Sequence, residues 1–352
     1  MTSSSFKIGD RLVGPAHPPF VIAEMSGNHN QSLDRALELV DAAASAGAHA
    51  LKLQTYTADT ITLRDRGDDF QIRDSTSLWD GQNLHDLYTK AHTPWEWHEP
   101  IMHRALERGM LCFSSPFDET AVDFLSKLDV PAFKIASFEN NHLPLIRKAA
   151  GTGKPLIIST GMASLSDLER AVNTARDAGC ENLVLLKCTS TYPASPVNTN
   201  IRTIPHLSDL FGVQVGLSDH TMGVGVAVAS VALGATVIEK HFTLSRSDGG
   251  VDSAFSLEPS ELASLVTETH SAWQALGEVS YGTTEAERKS LIFRRSIYVA
   301  TDIKAGEPFT NKNLRIVRPG HGAPPWLFDE LLGLVAHRDY RAGTALNFNQ
   351  LF

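Results

Sequence analysis

Residues 213–243 read VQVGLSDHTMGVGVAVASVALGATVIEKHFT. Two β-rich apolar runs, VQVGLSD from Val213 and VIEKHF from Val237, flank a small-residue apolar stretch near Val224 to Ala235. Strand, helical segment and strand in that order predict a parallel pair joined by a crossover. Working outward, the same alternation runs from Phe20 to about Gly277. Six more strands are read in FVIAEM from Phe20, ALKLQTY from Ala50, LCFSSPF from Leu111, AFKIAS from Ala132, PLIIST from Pro155 and LVLLKCT from Leu183. Eight strands, nearly all followed by a helix and with no GxGxxG opening any of them, predict a closed (β/α)8 TIM barrel rather than an open doubly wound sheet.

The covering segments carry the period of helices. Leu33, Leu37, Val40 and Ala44 recur at three- and four-residue steps before Gly47, and Asp167, Leu168, Ala171, Val172 and Ala175 repeat the scheme before Gly179. Thr57 to His92 breaks the rhythm. It is long and polar and is placed as an insertion after the second strand, either a lid or a plain surface loop. Trp95, Trp97 and His98 read as packing residues at a helix start, and Cys188 as a buried thiol.

After Tyr281 the pattern changes. ATDIKAGEPFTNKNL (Ala300 to Leu314) and HRDYRAGTALNFNQL (His337 to Leu351) share an Asp, an apolar residue, a basic residue, Ala and Gly. This duplication predicts a small, mostly β domain with a strand on each side of every basic-Ala-Gly turn. The domains are expected at residues 1–284 and 285–352, divided in the charged stretch Glu285 to Lys289. Such a small domain has little core and is expected to dock on the barrel or on a partner.

The chain has 352 residues, and 31 basic against 40 acidic side chains give a formal charge of -9. That charge offers no general field for nucleic acid or anionic lipid, so an anionic ligand needs a local site. The opening Met1 to Asp10 has no apolar signal core, no stretch approaches the roughly 20 apolar residues of a membrane span, and three cysteines lack CxxC spacing. A cytoplasmic protein is the expectation.

In a barrel, chemistry collects at the carboxyl ends of the strands. Glu24, Lys52, Gln54, Ser115, Lys134, Ser137, Ser159, Ser190, Ser218, Asp219, His220, Glu239, Lys240 and His241 fall at those ends or just inside them. Strands seven, eight and one are neighbours in a closed barrel, so His220, His241 and Glu24 converge on a workable open site for one divalent metal. Glu24 and Asp219 are the candidate catalytic carboxylates. Lys52 and Lys134 are interior lysines that need counter-charge, and with the rim serines they make a cradle for a phosphate and a carboxylate. Alternatively, one lysine forms a Schiff base, as in barrel aldolases. Arg318, in Arg318-Pro319-Gly320-His321-Gly322, is either a solvated turn residue or a substrate contact.

The runs IAEMSGNHNQSLDRALELVDAAASAGAHALKLQT, FSSPFDETAVDFL, PAFKIASFENN, PLIISTGM, LLKCTSTYP, GLSDHT, GATVIEKHFT and RPGHG resemble the sialic acid synthase family over nearly the whole chain. The C-terminal part resembles that family's antifreeze-like (SAF) domain. KIASFE, YTADT, TPWEWHEP and GGVDSAFS are most similar to its pseudaminic acid synthase branch.

The resemblance implies condensation of phosphoenolpyruvate with 2,4-diacetamido-2,4,6-trideoxy-altrose, or with the related sugars of the neuraminate and legionaminate branches. It implies a divalent metal on His220 and His241, Mn2+ foremost with Mg2+ or Co2+ as alternatives. Glu24 matches the active-site carboxylate, acting on water or as a ligand. Lys52, Ser115, Lys134, Ser137, Ser159, Ser190 and Ser218 match phosphoenolpyruvate positions, Ser115 and Ser190 replacing the threonine and asparagine of the neuraminate branch. Gln54, Tyr192 and Asp252 match sugar-side positions. Arg318 matches an SAF arginine that reaches a partner's barrel, implying a domain-swapped homodimer. Two rival readings are a Schiff-base pyruvate aldolase and a noncatalytic carbohydrate-binding protein.

Overall fold

A computed structural model describes residues 5–75 and 77–347 and resolves two compact units, the first ending at Gly277 and the second beginning at Glu278. Within the first, a short hairpin of β1 (Phe6–Ile8) and β2 (Arg11–Val13) buries Ile8 and Val13. It packs near Leu111 and Gly109, at the amino-terminal end of a barrel strand. The sequence reading assigns nothing there, because two three-residue strands leave too short an alternation to register.

The barrel strands are β3 (Phe20–Glu24), β4 (Ala50–Thr55), β5 (Leu111–Pro116), β6 (Phe133–Ile135), β7 (Leu156–Ser159), β8 (Leu183–Cys188), β9 (Gln214–Ser218) and β10 (Val237–His241). Each pairs in parallel with the next, and β10 pairs with β3 to close the ring, as expected. Near-continuous Val, Ile, Leu and Ala make these strands buried on both faces, which parallel sheets covered by helices require.

The helices follow in chain order as α1 (Leu33–Ser45), α2 (Ala58–Ile61), α3 (Leu84–Ala91), α4 (His98–Glu107), α5 (Glu119–Lys127), α6 (Leu143–Ala150), α7 (Leu165–Asp177), α8 (Thr203–Phe211), α9 (Gly225–Ala232) and α10 (Pro259–Leu276). Their starts are chemically marked. Ser32 and Asp118 accept backbone N–H groups, and Ser164 with Asp167 forms a reciprocal capping pair. In α7 the buried stripe is Leu168, Ala171, Val172 and Ala175, as read. In α1 it is Ala36, Leu39, Val40 and Ala43, rotated from the expected Leu33, Leu37, Val40 and Ala44, because small alanines let the helix sit close to the strands.

One glycine is required by that closeness. A Cβ on Gly216 of β9 would overlap the carbonyl oxygen of Val237 in β10 and come within 2.7 Å of Leu186 Cδ2, so β9 and β10 can pair here only without a side chain.

The insertion carries α2, α3 and a bridge between Gln71 and Asn83. Its far end is tied to the loop after β3, where Gln31 Nε2 donates to Lys90 O and His92 O at 2.9 and 2.7 Å. Trp95, Trp97 and His98 do pack. Trp95 lies 4.7 Å from Phe124, Trp97 is edge-on to His29, and His98 Nε2 is 2.7 Å from Thr55 Oγ1.

The second unit has its own apolar cluster, including Ile297, Val299, Ile303, Phe309, Leu314, Tyr340 and Leu346. Strands β11 (Ser296–Val299) and β12 (Leu314–Val317) pair antiparallel, and the short α11 (Phe328–Leu331) follows. The expected strands on both sides of each repeat turn are mostly single bridges instead, because Gly306 and Gly343, at φ 90 and 84°, turn the chain at once. The two copies pair with each other. Ile303 and Tyr340 exchange both backbone hydrogen bonds, at 2.9 and 2.8 Å. Asp339 accepts from Ala305 N and Asp302 from Ala342 N, at 2.9 and 2.7 Å. Met1 to Ser4 and the last residues of the second copy, 348–351, lie outside the described residues.

Candidate active site

Strand alternation decides which polar residues meet. Lys52 Nζ is ion-paired with Glu24 Oε2, donates to Ser115 Oγ at 3.2 Å and lies 3.9 Å from Glu239 Oε2. Lys134 Nζ is 3.4 Å from Glu239 Oε1, which also accepts from Ser218 Oγ at 3.0 Å. Both lysines are about as buried as core leucines, 3 % and 2 % exposed, and their cost is offset by these carboxylates. Burial pulls the Lys52 ammonium down, but Glu239 and Glu24 outweigh it and its pKa is raised. At Lys134 burial prevails over Glu239, and its pKa falls. Burial pushes Glu24 up to about 7 against the pull of Lys52. In Glu239 the two lysines overcome burial and hold the carboxyl below its ordinary value.

Around this charged floor sit the serines. Ser137 Oγ accepts from Gly161 N at 3.2 Å, and Ser190 Oγ lies 3.9 Å from Cys188 Sγ. A Cβ on Gly161 would overlap Ser190 Oγ and crowd Ser137 Oγ at 2.6 Å, so this glycine lets the two hydroxyls approach. Ser159 Oγ is buried without a hydrogen-bond partner among the described residues.

The imidazoles of His220 and His241 stand 5.4 Å apart, centroid to centroid. His220 Nδ1 is 2.9 Å from Thr189 O, which fixes the proton on Nδ1 and leaves the lone pair on Nε2. His241 Nδ1 is buried without a hydrogen-bond partner among the described residues, and Asp252 Oδ2 lies 3.7 Å away. Burial holds His241 well below its ordinary pKa, His220 adding to the effect. Among the described residues, no three His, Cys, Asp or Glu side chains are grouped to hold a metal ion. His220 and His241 alone would hold such an ion, since Glu24, expected to converge with them, is ion-paired with Lys52, and the remaining positions would fall to oxygens from elsewhere.

On the sugar side of the expected site, Gln54 Nε2 donates to Glu24 Oε1 at 3.3 Å. Tyr192 packs its ring 4.4 Å from His220 and 5.1 Å from Phe255. Asp252 is held by the hydroxyl of Ser26. Ser26 itself takes φ 49° and turns its N–H onto Glu24 Oε1 at 3.1 Å, a strained backbone of the kind that functional sites retain.

One expected residue of the barrel stands apart. Asp219 is not in this cluster: it lies on the opposite face of the wall from Ser218 and His220, because successive strand residues alternate. Its Oδ2 accepts from Lys240 Nζ at 2.8 Å and its Oδ1 from Thr221 N at 2.9 Å. Arg318 belongs to the second unit, where it is exposed. The sequence reading gave Glu239, Ser26 and Gly161 no role. Glu239 shares the parity of His241 along β10, which identifies it, whereas nothing local in the sequence marks Ser26 or Gly161. Cys188, read as a buried thiol, is buried, yet its Sγ lies 3.9 Å from His220 Nδ1.

The chain is 45% identical over 327 residues to a pseudaminic acid synthase of Campylobacter jejuni, covering 93% of this chain and 95% of that protein. A second C. jejuni protein, an N,N'-diacetyllegionaminic acid synthase, is 38% identical over 91% of this chain and 96% of its own. Among solved structures, an N-acetylneuraminic acid synthetase from Leptospira borgpetersenii superposes with a TM-score of 0.73 at 31% identity, covering 82% of this chain and 96% of that one. The SAF domain model matches residues 294–351, and the NeuB family model matches residues 39–281. The chain belongs to the NeuB family.

Proposed function

We propose that the chain is a phosphoenolpyruvate-dependent nonulosonate synthase that condenses phosphoenolpyruvate with 2,4-diacetamido-2,4,6-trideoxy-altrose, giving pseudaminic acid and phosphate. The observation that carries this is one barrel mouth holding two buried lysines, a ring of serine hydroxyls and two imidazoles, with Glu24 in register with His241 on the neighbouring strand. The higher identity to the pseudaminic than to the legionaminic synthase of one organism favours the altrose sugar.

Lys52 and Lys134, with Ser115, Ser137, Ser159, Ser190 and Ser218, bind the phosphate and carboxylate of phosphoenolpyruvate as a dianion. Gln54, Tyr192 and Asp252 orient the open-chain sugar so that its carbonyl faces C3 of phosphoenolpyruvate. His220 and His241 would hold a divalent metal, which when bound polarises that carbonyl. C3 attacks the carbonyl carbon, water adds at C2, and the C–O bond to phosphate breaks. Glu24, with a pKa near 7, is able to take the proton of that water at neutral pH. The two lysines act as fixed charges and not as imines, each set against a buried carboxylate, Lys52 on Glu24 and Lys134 on Glu239. Asp219 is assigned a positioning role behind the histidines.

Further parts of the reading are a cytoplasmic setting and a domain-swapped homodimer in which Arg318 reaches the partner's site. No helix among the described residues is long and apolar enough to cross a membrane.

The deciding experiment follows phosphate release from phosphoenolpyruvate with each candidate acetamido sugar, in Mn2+ or Mg2+. The altrose sugar is expected to give the highest kcat/KM, and EDTA, His220→Ala or His241→Ala to abolish release. Retained turnover in both variants, or a lysine trapped by borohydride with pyruvate, sinks the reading.

A further inference from the structure

The insertion after β4 places Trp79 against the candidate site. Trp79 donates its indole N–H to Val251 O at 3.2 Å, and its ring lies 5.9 Å from that of Tyr192. Its own backbone N–H is held by Ser77 Oγ at 3.2 Å. Val251 precedes Asp252, so the tryptophan is fastened to the loop that carries a sugar-side carboxylate. An aromatic chain results, in which Trp79 meets Tyr192, Tyr192 meets both His220 and Phe255, and Phe255 lies 4.9 Å from His241.

This chain grades in polarity. Its inner end stands among imidazoles, carboxylates and ammonium groups, where a carbonyl can react. Its outer end is the indole of Trp79, whose one N–H is already given to Val251 O. The rings lead from the imidazoles to Trp79, so a sugar whose carbonyl lies at the imidazoles and whose chain follows them would bring its opposite end to Trp79. Aromatic faces cover carbon-bound hydrogen well and leave an added hydroxyl without a partner.

We propose that Trp79 is a specificity-determining residue, which ranks acetamido sugars by the group at the end remote from the carbonyl and favours a methyl over a hydroxymethyl. This rests on the synthase reading above. An apolar wall discriminates only modestly against an added hydroxyl, so a preference on the order of tenfold is expected.

The test measures kcat/KM for two acetamido sugars differing only in that methyl or hydroxymethyl, in the full-length protein and in Trp79→Ala and Trp79→Phe. Trp79→Ala is expected to lose most of the preference, to raise KM for the methyl sugar and to leave KM for phosphoenolpyruvate unchanged. Trp79→Phe keeps a ring but lacks the donor to Val251 O, and is expected to keep the preference with a higher sugar KM. An unchanged sugar ratio in Trp79→Ala, with phosphoenolpyruvate KM also unchanged, overturns the inference alone. A wild type that consumes neither sugar overturns the synthase reading and this inference with it.

Discussion

Glu239 is the side chain on which the buried charges balance. It faces both lysines, and without it Lys52 retains only Glu24 and Lys134 loses its nearest carboxylate. Glu239→Gln is expected to cost roughly 3 kcal/mol, as breaking a buried ion pair does. Because phosphoenolpyruvate brings negative charge of its own, a saturating amount should raise the melting temperature more in the variant than in the wild type; equal shifts would count against this. Glu139 offers a test by pH. Burial pushes its carboxyl up to about 7 despite the pull of Lys134, so the folded state resists an ionisation that the unfolded chain undergoes near 4.5. Stability from this group is therefore lost as pH rises from about 4.5 to 7 and stays lost above it. Glu139→Gln should melt increasingly above the wild type between pH 5 and pH 7, the gap then holding level, and a gap that does not widen refutes the assignment. Lys52, Lys134 and the histidines were legible from sequence because charged residues inside apolar runs are costly. Ser26, Gly161 and Trp79 were not, since their roles arise from a backbone angle, a close approach and a contact across more than a hundred residues.

At the level of the strands, alternation separates two adjacent sets of residues. Glu239 and His241 of β10 and Ser218 and His220 at the end of β9 face the site, while Asp219 and Lys240, interleaved with them, join the two strands from behind. Their ion pair is 1% exposed at each side chain, and Lys240 Nζ also donates to Thr221 O at 2.6 Å. Lys240→Met leaves Asp219 buried without its partner and should cost about 3–5 kcal/mol. Asp219→Asn with Lys240→Met should cost less than Lys240→Met alone, since asparagine keeps the acceptor for Thr221 N and carries no charge. Chemical denaturation of the wild type, both single variants and the double variant measures this coupling, and additive costs would dismiss it. Counting eight strands was within reach of sequence because each is a short apolar run bounded by polar turns. Assigning Asp219 to the site was an error of parity: the residue was judged by its place at a strand end and not by the face it shares with its neighbours. The insertion was ambiguous for a different reason. Its polar composition reports exposure and does not mark Trp79, which packs on Tyr192.

For the molecule as a whole, the proposed exchange of SAF units makes a quantitative claim. If Arg318 serves the partner's barrel, neither His241→Ala nor Arg318→Ala alone should turn over, yet a re-equilibrated mixture should contain mixed dimers with one intact site. Random exchange of two-fold dimers restores roughly a quarter of wild-type activity. Phosphate release from the mixture, beside a light-scattering mass near twice 38.3 kDa, checks both parts. No recovery, or a monomer mass, rejects the exchange. The second unit was legible as a duplication, while the way its copies meet was not, because reciprocity is a property of pairing and not of either copy. Asp302 caps the turn of the second repeat and Asp339 that of the first, so each copy supplies half of two braces and completes neither alone. The two copies thus hold each other's turns, and the segment between them, which carries α11 and buries Ala323, Leu327 and Leu331, completes the core they share. The unit's folding should follow the logic of association, in which neither turn is held until the other copy has arrived to cap it.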